Sequence, residues 1–538
     1  MLRQTKRKGF FMKLNYKRTI FVGFAFFLIC AFWQAYDTIV PKILTERFGI
    51  SQTASGFIMA LDNILALFML PLFGIISDKS KFKMGRRTPF ILVGTIISAC
   101  LFMSLSIVDG AQLNKLGDVT DIESESVREM LYGYDYDDYL KTPDGEKFTF
   151  DASSVKEEDK DEVKVIDKET FLGFKVYNEK NKATDEYTDY IVPARQAYVY
   201  QEITSNDPSS LIWFIAILFM LLMSMATFRT PAVSLMPDVT PKPLRSKGNA
   251  VINLMGTIGG SLVLGLGILF STGKVQNTFM PYWVYFLAVS IIMVGCLIAF
   301  MFTVKEKKFV SDMEKESAEM GIKEESEAEN GEKRKLSKPE LCSLVLILSS
   351  VVLWFFGYNA VTSKYSVYAG QVLNLDYNTT LLVANIAALV SYIPVGIISS
   401  KIGRKKSILA GVTILALAFF VASFMRNGTP LIIMTLLFVM AGIGWATINV
   451  NSFPMVVELA KGGDVGKYTG FYYTASMAAQ TITPMLSGLL IDKISMTTLF
   501  PYATVFVALA FVTMFFVKHG DSKPEAQGAL ESLAGADD

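Results

Sequence analysis

GIISDKSKFKMGRRTPFIL (74–92) and GIISSKIGRKKSIL (396–409) are one pattern written twice. In each copy an apolar helical run ends in a polar turn crowded with lysine and arginine, and a second apolar run begins at once. The first copy sets Lys79, Lys81, Lys83, Arg86 and Arg87 behind Asp78. Gly74 matches Gly396 at an offset of 322 residues. A second pair of segments, PDVTPKPLRSKGNA (237–250) and VELAKGGDVGKYTG (457–470), repeats at an offset of 220. Each of these holds an acid nine residues before a lysine, Asp238 to Lys247 and Glu458 to Lys467. The two offsets differ by 102, which marks residues 110–209 as an insertion in the first half of a duplicated chain.

What surrounds the repeats is apolar. The chain has 538 residues, 51% of them apolar, and a mean hydropathy of +0.38. Crossing a bilayer takes roughly 20 mostly apolar residues. Twelve runs qualify, at 19–41, 53–76, 88–108, 210–236, 249–271, 282–303, 340–361, 378–399, 406–426, 429–452, 467–490 and 497–517. Lipid offers no partner to a backbone N–H or C=O, so such runs must be helices. The expectation is an all-α membrane protein of twelve transmembrane helices in two six-helix halves, helices 1–3 in 19–109, 4–6 in 210–303 and 7–12 in 340–517.

Residues 1–18 hold seven Lys/Arg and no acid. The first apolar run lacks a cleavage site and is expected to stay as a helix. The positive-inside rule then puts the N-terminus in the cytoplasm. The hairpin at 77–87, KIGRKK (401–406), the Lys/Glu-rich linker at 304–339 and the 518–538 tail follow on the same side. The plasma membrane is the expected location, with both termini inside. The insertion falls outside. It carries 24 Asp/Glu against 12 Lys/Arg and nine tyrosines, and KFTF, EVKVI, TFLGFKVYN and TDYIVP have β character. A small, partly β extracytoplasmic domain is expected, added to an otherwise complete core. Cys30, Cys100, Cys296 and Cys342 all lie in apolar runs, which suggests no disulfide framework.

The order of residues in the hairpin adds a resemblance. G-x-x-x-D-K/R-x-G-R-K/R between helices 2 and 3 is the signature loop of the major facilitator superfamily. Gly74, Asp78, Gly85, Arg86 and Arg87 match it, with four extra residues between Asp78 and Gly85. That longer form, followed by Thr-Pro-Phe, resembles the glycoside–pentoside–hexuronide cation symporters, and more closely the sucrose-type proton-coupled sugar carriers. YDTIVPKIL and GFIMALDNILALF (within 36–68) and GIGWATINVNSFPMVVELA (442–460) add to the likeness. The resemblance implies the major facilitator fold and a gating role for the hairpin. Asp78 would sit at the N-terminal end of helix 11, where the helix dipole favours an anion. Arg86 or Arg87 would reach Asp238. Gly403, Arg404 and Lys405 repeat the loop in the second half with Glu458 as its acid, and Ser400 stands where that loop's own acid would be.

Ionisable groups at membrane depth are costly, and they mark a pathway. Asp37 lies toward the outer end of helix 1, Asp62 in the outer half of helix 2 and Arg229 in the inner half of helix 4. The single histidine, His519, follows helix 12, so no histidine relay crosses the membrane. If a proton is carried, a carboxylate carries it, Asp62 first and Asp37 second. The paired acids of sodium-coupled relatives are unmatched on helix 2, which leaves sodium as the second choice of ion. The resemblance also implies that helices 1, 4, 7 and 10 line the cavity. Gln34 and Asp37, Trp354 and Tyr358, and Trp445, Asn449 and Ser452 recur at i, i+3 or i+4 and can each share one face. Gln480, with Tyr473 and Ser476, makes a further polar face on helix 11. Aromatic faces beside amides suit a polyhydroxylated ring. The competing reading of each is packing within the bilayer.

No Gly-rich loop ending in Lys-Ser/Thr and no cluster of metal-ligand residues occurs, so neither nucleotide hydrolysis nor a metal or other cofactor is implied. A net charge of +1 gives no reason to invoke nucleic acid. The reading is a non-enzymatic secondary active transporter, a proton-coupled symporter of a sugar-like solute in a lipid bilayer. The rivals are a proton-driven exporter of another solute class and a receptor-like sensor using the insertion.

Overall fold

The computed structural model describes residues 14–179, 182–241, 244–319, 337–457, 459 and 465–520. Twelve long helices run through it in chain order: helix 1 Tyr16–Lys42, helix 2 Gln52–Lys79, helix 3 Thr88–Leu116, helix 4 Ser209–Asp238, helix 5 Arg245–Leu269 and helix 6 Trp283–Thr303. After them come helix 7 Lys338–Gln371, helix 8 Tyr377–Ile402, helix 9 Arg404–Ala422, helix 10 Leu431–Val457, helix 11 Val465–Lys493 and helix 12 Leu499–Phe515. Among the described residues eleven are long and apolar enough to cross a bilayer. Helix 11 is long enough, but Tyr, Thr, Ser and Gln interrupt its apolar run. The molecule is an all-α, multi-pass integral membrane protein with a small insertion of partly β structure.

Local chemistry sets the helix ends. Asn15, Ser51 and Asp376 cap helices 1, 2 and 8 with side-chain oxygens. Ser337 and Glu340 form a reciprocal capping box on helix 7. Pro89 takes the first turn of helix 3, where its missing N–H costs nothing. Gly403, at φ +95°, makes the one-residue break between helices 8 and 9, a conformation that a Cβ would strain.

Each half has its own core. One gathers Phe32, Phe102, Phe228 and Phe286 from helices 1, 3, 4 and 6, the other Trp354, Tyr365, Phe419 and Phe500 from helices 7, 9 and 12. The halves meet where backbones approach closely. A Cβ on Gly56 of helix 2 would lie 2.6 Å from the carbonyl carbon of Pro484 on helix 11, and one on Gly488 would lie 2.7 Å from that of Gln52. Small residues allow this contact in a medium that gives no hydrophobic drive between helices.

The hairpin, helix Glu306–Glu319 and the helix 8–9 turn occupy one face of the bundle, the basic face; the insertion covers the other. Helix 3 continues to Leu116 before the insertion begins to turn. The insertion has three strands, β1 Leu140–Lys141, β2 Lys147–Thr149 and β3 Val163–Val165, with β1–β2 antiparallel and β2–β3 parallel. KFTF and EVKVI supply β2 and β3. TFLGFKVYN and TDYIVP do not form strands. Asp167 accepts from the Thr170 amide at 2.9 Å and starts a short helix, Lys168–Gly173. Pro193 lies in the first turn of helix Val192–Tyr198, a position that favours helix over ladder. Phe148, Phe150, Phe171 and Tyr187 form a separate small core for this domain.

Candidate functional site

Two adjoining cavities open where the halves meet. The larger, about 410 Å³, is walled by helices 1, 5, 7, 8, 10 and 11, with Phe419 of helix 9. The smaller, about 190 Å³, is walled by helices 1, 2, 4, 7 and 11. Trp33, Asp37, Asn359, Thr362 and Gln480 belong to both, so the two are one polar path with a waist. Helix 1 reaches this position because helix 5 lets it in: a Cβ on Gly256 would sit 2.7 Å from Cys30 Sγ.

In the larger cavity Tyr358 and Trp445 stack with ring centroids 3.6 Å apart and planes 2° from parallel. Phe355 meets Trp445 edge-on at 5.3 Å and fixes the indole from behind. Facing this platform are amides. Gln34 Oε1 accepts from Asn385 Nδ2 at 3.4 Å, a bond that crosses between the halves. The buried Nδ2 of Asn359 and Nε1 of Trp33 have no protein acceptor. A buried donor without an acceptor costs about 1–3 kcal/mol, which a ligand hydroxyl would relieve. In the smaller cavity Asp62 accepts from Asn63 Nδ2 at 2.8 Å, and Arg229 faces the same space with its guanidinium 5.5 Å from the centroid of Trp33. Two carboxylates and one guanidinium therefore share a poorly solvated volume, where charge interactions are stronger than in water.

The expected cavity residues divide. Gln34, Asp37, Tyr358, Trp445 and Gln480 line the larger cavity; Asp62 and Arg229 line the smaller one. Asp37, expected near the end of helix 1, borders both, because the helix runs on through a further turn, Ile43–Arg47. Trp354 is fully buried in the core of the second half, where helix 7 packs on helices 11 and 12. Asn449 and Ser452 are buried as well, and Ser452 Oγ lies 2.9 Å from Tyr472 Oη. Spacing alone put these three on the cavity face. Sequence reading missed Asn359 and Asn385, although an amide inside an apolar run is the signal that finds them. It also missed Trp33, which carries no such signal.

At the basic face, Arg86 Nη2 lies 2.9 Å from Asp238 Oδ1 and Arg87 Nε 2.9 Å from Asp238 Oδ2. Arg87 is almost fully buried; it also pairs with Asp78 and donates to Ser77 Oγ at 2.5 Å. Asp78 is thus paired within its own half, with 57% of its side chain exposed. Its expected place at the start of helix 11 involves residues 460–464, which with Glu458 lie outside the described residues. Gly74 lets helices 2 and 4 approach: its Cβ would meet Thr230 Cγ2 at 3.2 Å. Gly85 has φ +125°. Arg404 is buried, and Lys405 Nζ donates to the carbonyls of Phe515 at 2.8 Å and Val517 at 2.6 Å, at the C-terminus of helix 12.

At the insertion face the halves are joined directly. Asp492 at the end of helix 11 accepts from the amides of Gln52 and Thr53 at 2.9 and 2.7 Å, capping helix 2 of the other half. Lys364, fully buried on helix 7, donates to the Gln52 carbonyl at 2.7 Å. Tyr377 Oη and Asn378 Nδ2 of helix 8 lie 3.2 and 3.1 Å from Thr272 Oγ1 beyond helix 5.

This geometry has relatives. The sequence profile of the Major Facilitator Superfamily matches residues 198–460 and 381–534, and that of MFS/sugar transport proteins matches 21–112. No curated protein matches the chain. Among solved structures it is similar to the inward-open xylose transporter XylE from E. coli (TM-score 0.55, 13% identity, covering 96% of this chain and 98% of that one). A D-xylose-proton symporter gives a TM-score of 0.53 at 13% identity, over 93% and 98% of the two chains. A bacterial homologue of the iron transporter ferroportin, in an inward-facing state, gives 0.55 at 13%, over 94% and 99%.

Proposed function

The chain belongs to the major facilitator superfamily, and on that premise we propose that this transporter moves a sugar or similar polyhydroxylated solute across the membrane together with a proton. The observation that carries the proposal is the mid-bundle cavity, in which the Tyr358–Trp445 stack faces amides and opens through a waist onto Asp37 and Asp62. Its volume of about 410 Å³ falls within the usual range for small-ligand sites, about 300–1,000 Å³. Ring faces take the apolar side of a sugar; Gln34, Asn359, Asn385 and Gln480 offer donors and acceptors for its hydroxyls.

In this reading Asp62 is the proton carrier and Asp37 its partner at the waist. When Asp62 is ionised it attracts Arg229 across the smaller cavity; a proton removes that attraction and lets the wall rearrange around the solute. Each half moves as a rigid body about the cavity, since each has its own core. The basic face is assigned to the cytoplasm of a cell whose plasma membrane holds the protein. There Asp78, Arg86, Arg87 and Asp238, with Gly74 and Gly85 shaping the turn, form one gate element. Gly403, Arg404 and Lys405 belong to its counterpart, whose expected acid, Glu458, lies outside the described residues. Sodium is the alternative ion.

Purified protein in proteoliposomes tests this. Adding solute outside should acidify the lumen without an imposed gradient, independently of sodium. Solute uptake with no proton movement, or lumenal alkalinisation as in antiport, overturns the symport reading.

A further inference from the structure

The insertion touches both halves, but in two different ways. Toward the first half its contacts are buried. Arg195 Nη2 lies 2.7 Å from Glu46 Oε2, with the two side chains 1% and 7% exposed, and Tyr187 within the insertion steadies Arg195 by accepting from its Nη1 at 2.7 Å. Thr204 Oγ1 donates to the Phe48 carbonyl at 2.9 Å, and Gln112 Nε2 to that of Arg47 at 2.9 Å. The chain also enters the insertion from helix 3 and leaves it into helix 4, both in the first half.

Toward the second half the contacts are polar and sit mostly at the surface. They reach three separate places. Lys141 Nζ donates to the carbonyls of Asp492 and Lys493 at 3.2 Å each, at the C-terminal end of helix 11, where a cation is favoured. Arg426 Nε lies 3.2 Å from Asp144 Oδ1, with side chains 43% and 57% exposed, and Asn427 Nδ2 donates to Asp185 Oδ1 at 2.5 Å. Asn374 Nδ2, in the loop before helix 8, donates to the Ala183 carbonyl at 2.7 Å. One gripping contact and one anchoring contact coincide with the junction of the halves. Asp492, held through its carbonyl by Lys141, is the residue that caps helix 2. Glu46, paired with Arg195, also accepts from Gln371 Nε2 of helix 7 at 2.6 Å.

We propose that the 110–209 insertion is a clasp: fixed to the first half, it grips the second half at helix 11 and at the loops before helices 8 and 10, and so holds the insertion-side mouth of the cavity closed. Buried, paired charges are costly to separate, whereas exposed pairs exchange readily with water. The anchoring side therefore stays joined while the gripping side releases when the mouth opens. The number of gripping contacts sets the resting balance between the closed and open mouths. This goes beyond the transport proposal and does not depend on the identity of the solute.

The test is a distance measurement by pulsed electron resonance. Spin labels go on Lys274→Cys in the first half and Pro430→Cys in the second, both exposed at the insertion face. Cys30, Cys100, Cys296 and Cys342 are replaced by alanine. The parent should show a dominant short distance. Combining Lys141→Ala, Asp144→Ala and Asn427→Ala should add a longer one and raise the open-to-closed ratio roughly tenfold, the order of change expected from losing several exposed polar contacts. Asp144→Arg alone should shift the ratio the same way, and adding Arg426→Glu should bring it back. If the triple variant does not fold, the charge reversal and its rescue decide. Distance distributions that match the parent in Asp144→Arg and in every folded variant overturn the clasp.

Discussion

Asp62 and Asp37 differ in what surrounds them. Asp62 shares its cavity with Arg229 and is held by Asn63, whereas Asp37 borders both cavities. If Asp62 carries the proton, Asp62→Asn removes the titrating group but keeps its shape. Uphill accumulation should then vanish while exchange at equal concentrations persists; a variant that still concentrates solute removes Asp62 from the role. Asp37→Asn should weaken solute binding and coupling together, read as a higher half-saturation in exchange as well as lost accumulation. Arg87 is a different kind of residue. Its planar fork reaches Asp78, Asp238 and Ser77 at once, a geometry that lysine cannot supply. Arg87→Lys should lower stability by about 1–3 kcal/mol, seen as a lower Tm. An unchanged Tm would show that the fork contributes no stability. The charges were legible in the sequence, and the family resemblance pointed Arg86 or Arg87 at Asp238, 151 residues from Arg87; that both reach it, while Arg87 also holds Asp78 and Ser77, was not, because it depends on how helices 2, 3 and 4 pack.

Helix 3 shows the same limit at the level of an element. The Thr88-Pro89 pair opens the helix, but its cap comes from elsewhere. Glu306, buried at the head of helix Glu306–Glu319, accepts from the amides of Arg86, Arg87 and Thr88 at 2.7, 3.0 and 2.8 Å. Glu306→Ala leaves these amides without an acceptor and should cost about 2 kcal/mol; Glu306→Gln, which keeps one acceptor, should cost less. Equal Tm values for the two variants and the parent would discount the cap. In the insertion, burial raises the Asp189 carboxyl to about 7, helped by Asp185, Asp144, Glu146 and Glu186. The unfolded chain loses that proton near the ordinary value of about 4. Between these values the folded form holds more protons, so its stability falls as pH rises from about 4 to about 7. Asp189→Asn should flatten that part of the Tm–pH curve. A slope equal to the parent's would assign the effect to other groups.

For the whole molecule, the repeat arithmetic reads the insertion as an addition, but its buried contacts with the first half predict that removing it is not neutral. A Gly/Ser linker joining Leu116 to Ser209 would take Arg195 away from Glu46, which is only 6% exposed. Breaking a buried ion pair from one side costs about 3–5 kcal/mol. The deletion should therefore lower Tm markedly, and Glu46→Gln in the same chain should recover part of the loss. Recovery of none would mean that Glu46 rehydrates once uncovered.

The sequence by itself determined the fold class, the long apolar helices and the presence of a small, partly β insertion among them. Each of these depends on composition and on neighbours a few residues apart: a run too apolar for water, a loop too charged for lipid, an offset counted along the chain. Only the tertiary structure decided which side of each helix faces the cavity. Trp354 and Tyr358 stand one turn apart on helix 7, yet one is core and the other is half of the aromatic stack. In a membrane bundle both lipid-facing and core-facing sides are apolar, so hydrophobic periodicity cannot tell them apart. The answer lies in which helices pack against that turn, and those come from distant parts of the chain.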